Sequence, residues 1–293
     1  MKKRVITSLI LTAALAFGAL TGCGSKADSQ SSETAATGEE TQAEAETDSA
    51  SDSDKTITVG ATPVPHAEIL DNIVKEVLAK DGWTLETVVF QDYVLPNTSL
   101  ESGDIDANYF QTLGYLDQQN KDAGLHLTAV AGIHIEPMGV YSKKVKNLKD
   151  LKDGATVSIP NDPTNGGRAL ALLAKAGLIT LKDGVGVTAT VQDVTGNPKN
   201  IKFQELEPAQ VPRTLDDVDA AVINSNFAMQ VQLNPVKDNI FIEDSTSPYV
   251  NIVAVRTGDE NRPEIQALMK ALKSEKVKKF INEKYNGAVV PAF

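Results

Sequence analysis

The sequence predicts an α/β fold with mostly parallel sheets, and three observations carry that reading. Short β-branched runs recur along the chain, amphipathic segments of helical period lie between them, and no period of repeat-protein length appears. Strands that alternate with helices imply crossover units, whose strands pair in parallel.

The elements follow in order. TITVGAT, Thr56 to Thr62, is a strand that leaves into a turn holding Pro63 and Pro65. HAEILDNIVKEVLAKDG is a helix with Ile69, Leu70, Ile73, Val77 and Leu78 on one face and Gly82 beyond its end. TLETVVF alternates as a strand, and GLHLTAVAGIHIEPMGVYS and GATVSIP read as further strands, with helices at Leu113 to Ala123 and Gly167 to Ala176 between them. In the second half DAAVINSN, DNIFIED and YVNIVAVRT are strand-like, and Glu264 to Ser274 and Val277 to Tyr285 are amphipathic helices. Residues 55–293 suffice for one large domain or two lobes.

The beginning of the chain reads differently. Lys2, Lys3 and Arg4 precede a mostly apolar run from Leu9 to Leu20, too short to be a permanent membrane span and typical of a secretory signal over residues 1–22. The order basic, apolar, then Leu20-Thr21-Gly22-Cys23 resembles a bacterial lipobox, which implies that Cys23 is lipidated and becomes the first mature residue. Cys23 is the only cysteine of the chain, so neither an internal disulfide nor a cysteine-based zinc site can form. From Gly24 to Asp54 there is no aromatic or branched aliphatic residue, and nine acidic residues stand against Lys26; such a segment is a disordered tether. The net charge of −11 divides into +3 for residues 1–22, −8 for 24–54 and therefore −6 for 55–293. A mildly acidic body argues against nucleic acid as a partner.

No G-x-S-x-G, H-E-x-x-H or P-loop pattern is present, and His66, His126 and His134 lack metal-ligand spacing. His126, between Leu125 and Leu127, reads as structural, and Gly184, Gly186 and Ala189 in DGVGVTA read as a turn. IPNDPTNGGRALALLAKAGL carries more. A strand, a turn with Pro163, the pair Gly166-Gly167 and then Arg168 in the first turn of a helix would bring free N–H groups and a guanidinium together, which suits a carboxylate. The alternative is a helix capped by Asn165 beside a solvated arginine. Asn224 ends the run AAVIN and Asn251 interrupts YVNIVAV. Asparagine is a poor strand former, so each is either a hydrogen-bonding partner for an ammonium group or a turn residue; Asn226 reads as the latter. Phe90, Tyr93, Tyr109 and Phe110 either fill a core or line a slot for an apolar or thioether side chain.

Taken in sequence, TPVPHAEIL, FQDYVLPN, DANYFQT, HIEPMGVYS, IPNDPTNGGRALALL, GNPKN, ELEPAQVPRTLDD, VINSNFA and SPYVNIVAVR resemble the NlpA lipoprotein family, the methionine-binding lipoproteins of bacterial ABC importers. The likeness runs from about Thr56 to Phe293. It implies a type II two-lobe periplasmic-binding-protein fold, each lobe a mixed, mostly parallel sheet flanked by helices, with residues 55–135 and 247–293 in lobe one, 136–246 in lobe two and the crossovers near Glu136 and Thr246. It also implies a non-enzymatic, monomeric receptor without cofactor or metal, lipid-anchored on the extracytoplasmic face, which delivers L-methionine or a close analogue to a membrane permease driven by an ATPase. Arg168 becomes the carboxylate clamp, Asn224 and Asn251 the partners of the α-amino and carboxylate groups, and Tyr93 and Phe110 the walls of the side-chain slot. Thr112 departs from the family's Y-F-Q-H pattern and makes the slot wider or differently hydrogen-bonded. The rivals are a receptor for a dipeptide, another amino acid or a metal held by His66 and His134, an exported enzyme, and an adhesive protein.

Overall fold

The computed structural model describes residues 55–244 and 246–293. The signal, Cys23 and the tether expected from the sequence lie outside these residues. No described helix is long and apolar enough to cross a membrane.

The chain builds two sheets. It opens with β1 (Thr56–Ala61), in which Ile57, Val59 and Ala61 are wholly buried, as period-two alternation requires. Two π-helical turns, Pro63–Ala67 and Leu70–Val74, run into α1 (Lys75–Lys80). Then come β2 (Thr84–Val89), α2 (Leu95–Ser102), β3 (Ala107–Thr112), α3 (Leu113–Ala123) and β4 (Leu127–Ile135). The run read as continuous strand from Gly124 to Ser142 breaks after Ile135. Its remainder is β5 (Gly139–Tyr141), in the other sheet, after a crossing segment in which Pro137 offers no N–H to a ladder.

The second sheet collects β6 (Thr156–Pro160), β9 (Lys202–Leu206), β10 (Ala220–Ile223) and β11 (Asn239–Ile242) around β5; α4 (Pro163–Lys175) covers it, and β7 (Thr180–Leu181) and β8 (Val194–Gly196) form a small ribbon beyond α4. After α5 (Ser225–Gln230) and β11 the chain returns to the first sheet as β12 (Val250–Arg256), α6 (Pro263–Leu272), α7 (Glu275–Tyr285) and β13 (Val290–Pro291). The strand orders are β13-β4-β12-β3-β1-β2 and β11-β5-β10-β6-β9. Both sheets are mixed, but the parallel share is smaller than strand–helix alternation implied. Parallel pairing is confined to β1 with β2 and β3 and to β6 with β9 and β10, because the returning β12 inserts antiparallel between β3 and β4.

Each sheet has its own apolar core. Ile57, Leu70, Val253, Leu268 and Ile281 anchor the first, and Val157, Leu170, Leu173 and Val222 the second. This gives two lobes joined by two crossings, β4 to β5 and β11 to β12. The glycines before Arg168 serve this packing. A Cβ at Gly167 would lie 2.0 Å from the backbone oxygen of Val187, in the turn of DGVGVTA, and one at Gly166 would lie 2.8 Å from that of Pro160.

Candidate functional site

One cavity, about 360 Å³ of empty space including solvent at its mouth, touches all six side chains expected from the sequence to form the site: Tyr93, Phe110, Thr112, Arg168, Asn224 and Asn251. Elements of both lobes supply them. Phe110 and Thr112 sit on β3, Asn251 pairs across from Thr112 on β12, Arg168 projects from α4, and Asn224 follows the fully buried β10.

The start of α4 differs from expectation. The helix begins at Pro163, so Arg168 lies in its second turn. The cap is Asp162, whose carboxylate accepts from the backbone N–H of Asn165 at 2.8 Å. Asn165 is therefore capped, not capping, and its side-chain NH₂ donates to both oxygens of Asp162 at 3.1 Å. Burial pushes the Asp162 carboxyl above the usual range, opposed by these bonds from Asn165 and Thr164.

Arg168 is 5% exposed and is neither solvated nor free. Its Nε donates to Glu243 Oε1 at 2.8 Å, and Nη2 donates to Glu243 Oε2 at 2.5 Å and to the backbone oxygen of Glu136 at 2.9 Å. The guanidinium also stacks on Tyr249, 4.2 Å from the ring centre. Glu243 accepts in addition from the backbone N–H of Met138 at 3.0 Å. One edge of the fork is thus locked onto both crossings, while Nη1 has no hydrogen bond to a described residue.

The asparagine amides have one end tied. Asn224 donates to Asn165 Oδ1 at 2.7 Å, which leaves its own Oδ1 buried without a partner. Asn251 Oδ1 faces His66 Nε2 at 3.1 Å, and its Nδ2 makes no bond to a described residue. Asn226, read as a turn residue, is buried at the same cavity; its Oδ1 accepts from Tyr93 at 2.6 Å, and its Nδ2 is unpartnered. Its signal in the sequence was its position two residues after Asn224 at the end of a wholly apolar strand.

Tyr93 and Phe110 form more than a pair. Tyr115 and Phe227, not singled out from the sequence, complete a box in which Tyr93 lies 5.7 Å from Phe110, 5.7 Å from Tyr115 and 4.8 Å from Phe227, centre to centre. Burial holds the Tyr93 hydroxyl well above its ordinary pKa, so it stays a neutral donor.

Glu136, marked by the sequence only as a crossover, also lines the cavity. Its Oε1 lies 2.8 Å from His134 Nε2 and 3.2 Å from His66 Nε2, and its carboxylate accepts from the backbone N–H of Asn226. Burial raises its pKa, opposed by the neighbouring His66 ring and the Arg168 guanidinium. Burial lowers His66 from 6.5 to about 4 and His134 to about 3, so both rings are neutral near pH 7. His66 Nδ1 meets Thr62 Oγ1 at 2.8 Å, and His134 Nδ1 meets the Tyr109 hydroxyl. His66, His134 and Glu136 hold their ligand atoms within 4.8 Å of one another, but each of those atoms has a hydrogen-bond partner without an ion. His126 stands apart on the surface, bonded to Glu101 at 3.0 Å.

Comparison with known proteins agrees along the described body. The family described as NlpA lipoprotein matches residues 57–293. The D-methionine-binding lipoprotein MetQ of Escherichia coli (strain K12) is 49% identical over 76% of this chain and 82% of its own length. Among solved structures, a nutrient-binding protein from Burkholderia cenocepacia bound to methionine is 47% identical with a TM-score of 0.79, covering 81% of this chain and 100% of that one. An ABC transporter periplasmic substrate-binding protein from Coxiella burnetii is 40% identical with a TM-score of 0.77, over 80% of this chain and 100% of its own.

Proposed function

The chain belongs to the NlpA lipoprotein family, and from that premise we propose that it is the extracytoplasmic receptor of an ABC importer, anchored through a lipid on Cys23, which captures methionine and hands it to a membrane permease powered by an ATPase. It acts as a monomer and catalyses nothing.

The observation that carries this reading is the polarity of the cavity. Its lining offers donors, Arg168 Nη1 and Asn251 Nδ2, together with an unpartnered buried acceptor, Asn224 Oδ1, and the buried Glu136 carboxylate. A free α-amino acid meets both, its carboxylate on the donors and its ammonium on the acceptors. The ammonium also offsets the burial that disfavours a charged Glu136. The rings of Tyr93, Phe110 and Tyr115, with Phe227 packed on Tyr93, suit a thioether, whose sulfur packs against ring edges. Thr112 enlarges the slot beside it. Closure turns on the crossings at Glu136 to Met138 and Glu243 to Tyr249, which Arg168 and Glu243 tie together.

The test uses purified protein, unfolded and refolded to strip carried ligand. Its melting temperature is followed against L-methionine, D-methionine, norleucine, a methionyl dipeptide and divalent metals, since a ligand of the native state raises it. A large shift with either methionine enantiomer supports the reading; a shift with metal alone, or with none of these, overturns it.

A further inference from the structure

An isolated asparagine can offer either end of its amide, yet here two of them offer opposite ends to one cavity. The cause lies one residue behind each, in a hydrogen-bond chain that starts at a buried carboxylate, and a carboxylate only accepts.

The first chain starts at Asp162. Its oxygens take both contacts of the Asn165 NH₂, so Asn165 must turn its Oδ1 toward Asn224. An acceptor there requires a donor, and Asn224 supplies its NH₂ at 2.7 Å. The Asn224 Oδ1 is left for the cavity, buried and unpartnered. The second chain starts at Glu136. Its Oε1 lies 3.2 Å from His66 Nε2, and on the far side of the ring the Thr62 hydroxyl can donate to Nδ1 at 2.8 Å. The single ring proton of neutral His66 therefore sits on Nε2, and that N–H also faces Asn251 Oδ1 at 3.1 Å. The Asn251 NH₂ is left for the cavity. One chain passes through two amides and ends in an acceptor; the other passes through one ring N–H and ends in a donor.

We propose that His66, which is not among the cavity's lining residues, and Asn165, which lines it with both ends of its amide already bonded within the protein, are the positioning residues that determine specificity, each fixing which end of a neighbouring asparagine meets the ligand. This rests on the reading of the cavity as an α-amino-acid site. His66 sets the preference for a carboxylate over an amide, and Asn165 the requirement for an ammonium. The Asn165 chain reaches the ammonium end; the His66 chain orients the amide at the carboxylate end, while Glu136, which His134 Nε2 also contacts at 2.8 Å, keeps its place at the ammonium.

The experiment measures calorimetric affinities of the full-length protein for methionine, methioninamide and 4-(methylthio)butanoate, which lacks the amino group. In the wild type, methionine binds and both analogues bind far more weakly; a failure at this step counts against the amino-acid reading itself. In His66→Leu, the preference for methionine over methioninamide falls by roughly tenfold or more while the penalty for losing the amino group is kept; in Asn165→Leu the pattern reverses. His66→Gln, which restores an N–H donor of similar reach, recovers the preference. Equal losses for all three ligands in both variants mean a merely structural role and overturn the proposal. Independently of how the variants fold, ¹⁵N spectra of wild-type histidines must place the His66 proton on Nε2; a proton on Nδ1 overturns the proposal outright.

Discussion

Replacing Arg168 and Glu243 singly and together separates what holds the site from what the site holds. Side-chain exposure is 5% for Arg168 and 11% for Glu243, and two hydrogen bonds at 2.8 and 2.5 Å join them. Removing one partner strands the other's charge in a nearly dry place, at a cost of about 3–5 kcal/mol. At about 2–4 °C per kcal/mol for a body of this size, Arg168→Leu and Glu243→Leu each lower Tm by roughly 6–20 °C. The double variant removes both charges of the pair, and replacement of such a pair by apolar groups is often neutral, although Glu136 loses the guanidinium that opposes its burial. It takes a partner from the Glu136 carbonyl, the Met138 N–H and, more weakly, the Ser247 hydroxyl, at about 1–3 kcal/mol for each buried group left unsatisfied. Urea unfolding should therefore show the double variant more stable than the sum of the single losses, and calorimetry should find it without methionine affinity. Additive destabilisation would refute the reasoning about the pair. Retained binding in the double variant would refute the role given to Arg168.

Two further outcomes follow from geometry and from burial. Gly167→Ala forces a Cβ to within 2.0 Å of the Val187 oxygen, which is backbone and cannot simply rotate away. The variant should lose several kcal/mol in urea unfolding, on the order of an overpacked core, and an unchanged midpoint would show that α4 does not pack as closely as described. His66 and His134 have folded pKa values lowered to about 4 and about 3 from 6.5. Unfolded, both take up protons below pH 6.5, whereas folded they resist. The stability they contribute is complete above that pH and falls toward pH 4, by up to about 1.4 kcal/mol per pH unit for each ring. Glu136, Asp162 and Glu207, raised by burial, act in the opposite sense, whereas Glu101 and Asp219, held low by hydrogen bonds, add to the fall. Tm should fall between pH 6.5 and 4, and the fall should be shallower in His134→Gln; a flat profile contradicts the burial of neutral histidines.

Much of the frame was legible because apolar periodicity carried it. The α3 segment was read with its observed bounds, since Tyr115 and Leu116 face inward and Gly124, at φ 66°, marks the stop. β3 escaped as a strand although it carries Phe110. Its Asn108 and Gln111 break the apolar pattern, and only the fold reveals that they bond to each other and to Asn97 inside the protein. Arg168 was identified as a site residue, but on a helix-start argument that the structure replaces. The N–H groups belong to Asp162, and the tight glycines belong to packing against Val187. Asn226, Tyr115, Phe227 and Glu136 were hidden for one reason. Asn226, Tyr115 and Glu136 line the cavity and Phe227 packs on Tyr93 through contacts with residues distant in the chain, such as Tyr93 with Asn226, which no local pattern encodes.

A crystal structure of the protein with methionine bound tests the central claim most directly. The ligand should lie in the cavity between the lobes, its carboxylate within hydrogen-bond distance of Arg168 Nη1 and Asn251 Nδ2. Its ammonium should lie at Asn224 Oδ1 and Glu136, and its sulfur against the rings of Tyr93 and Phe110. A ligand bound with carboxylate and ammonium exchanged, or seated outside this cavity, would contradict it.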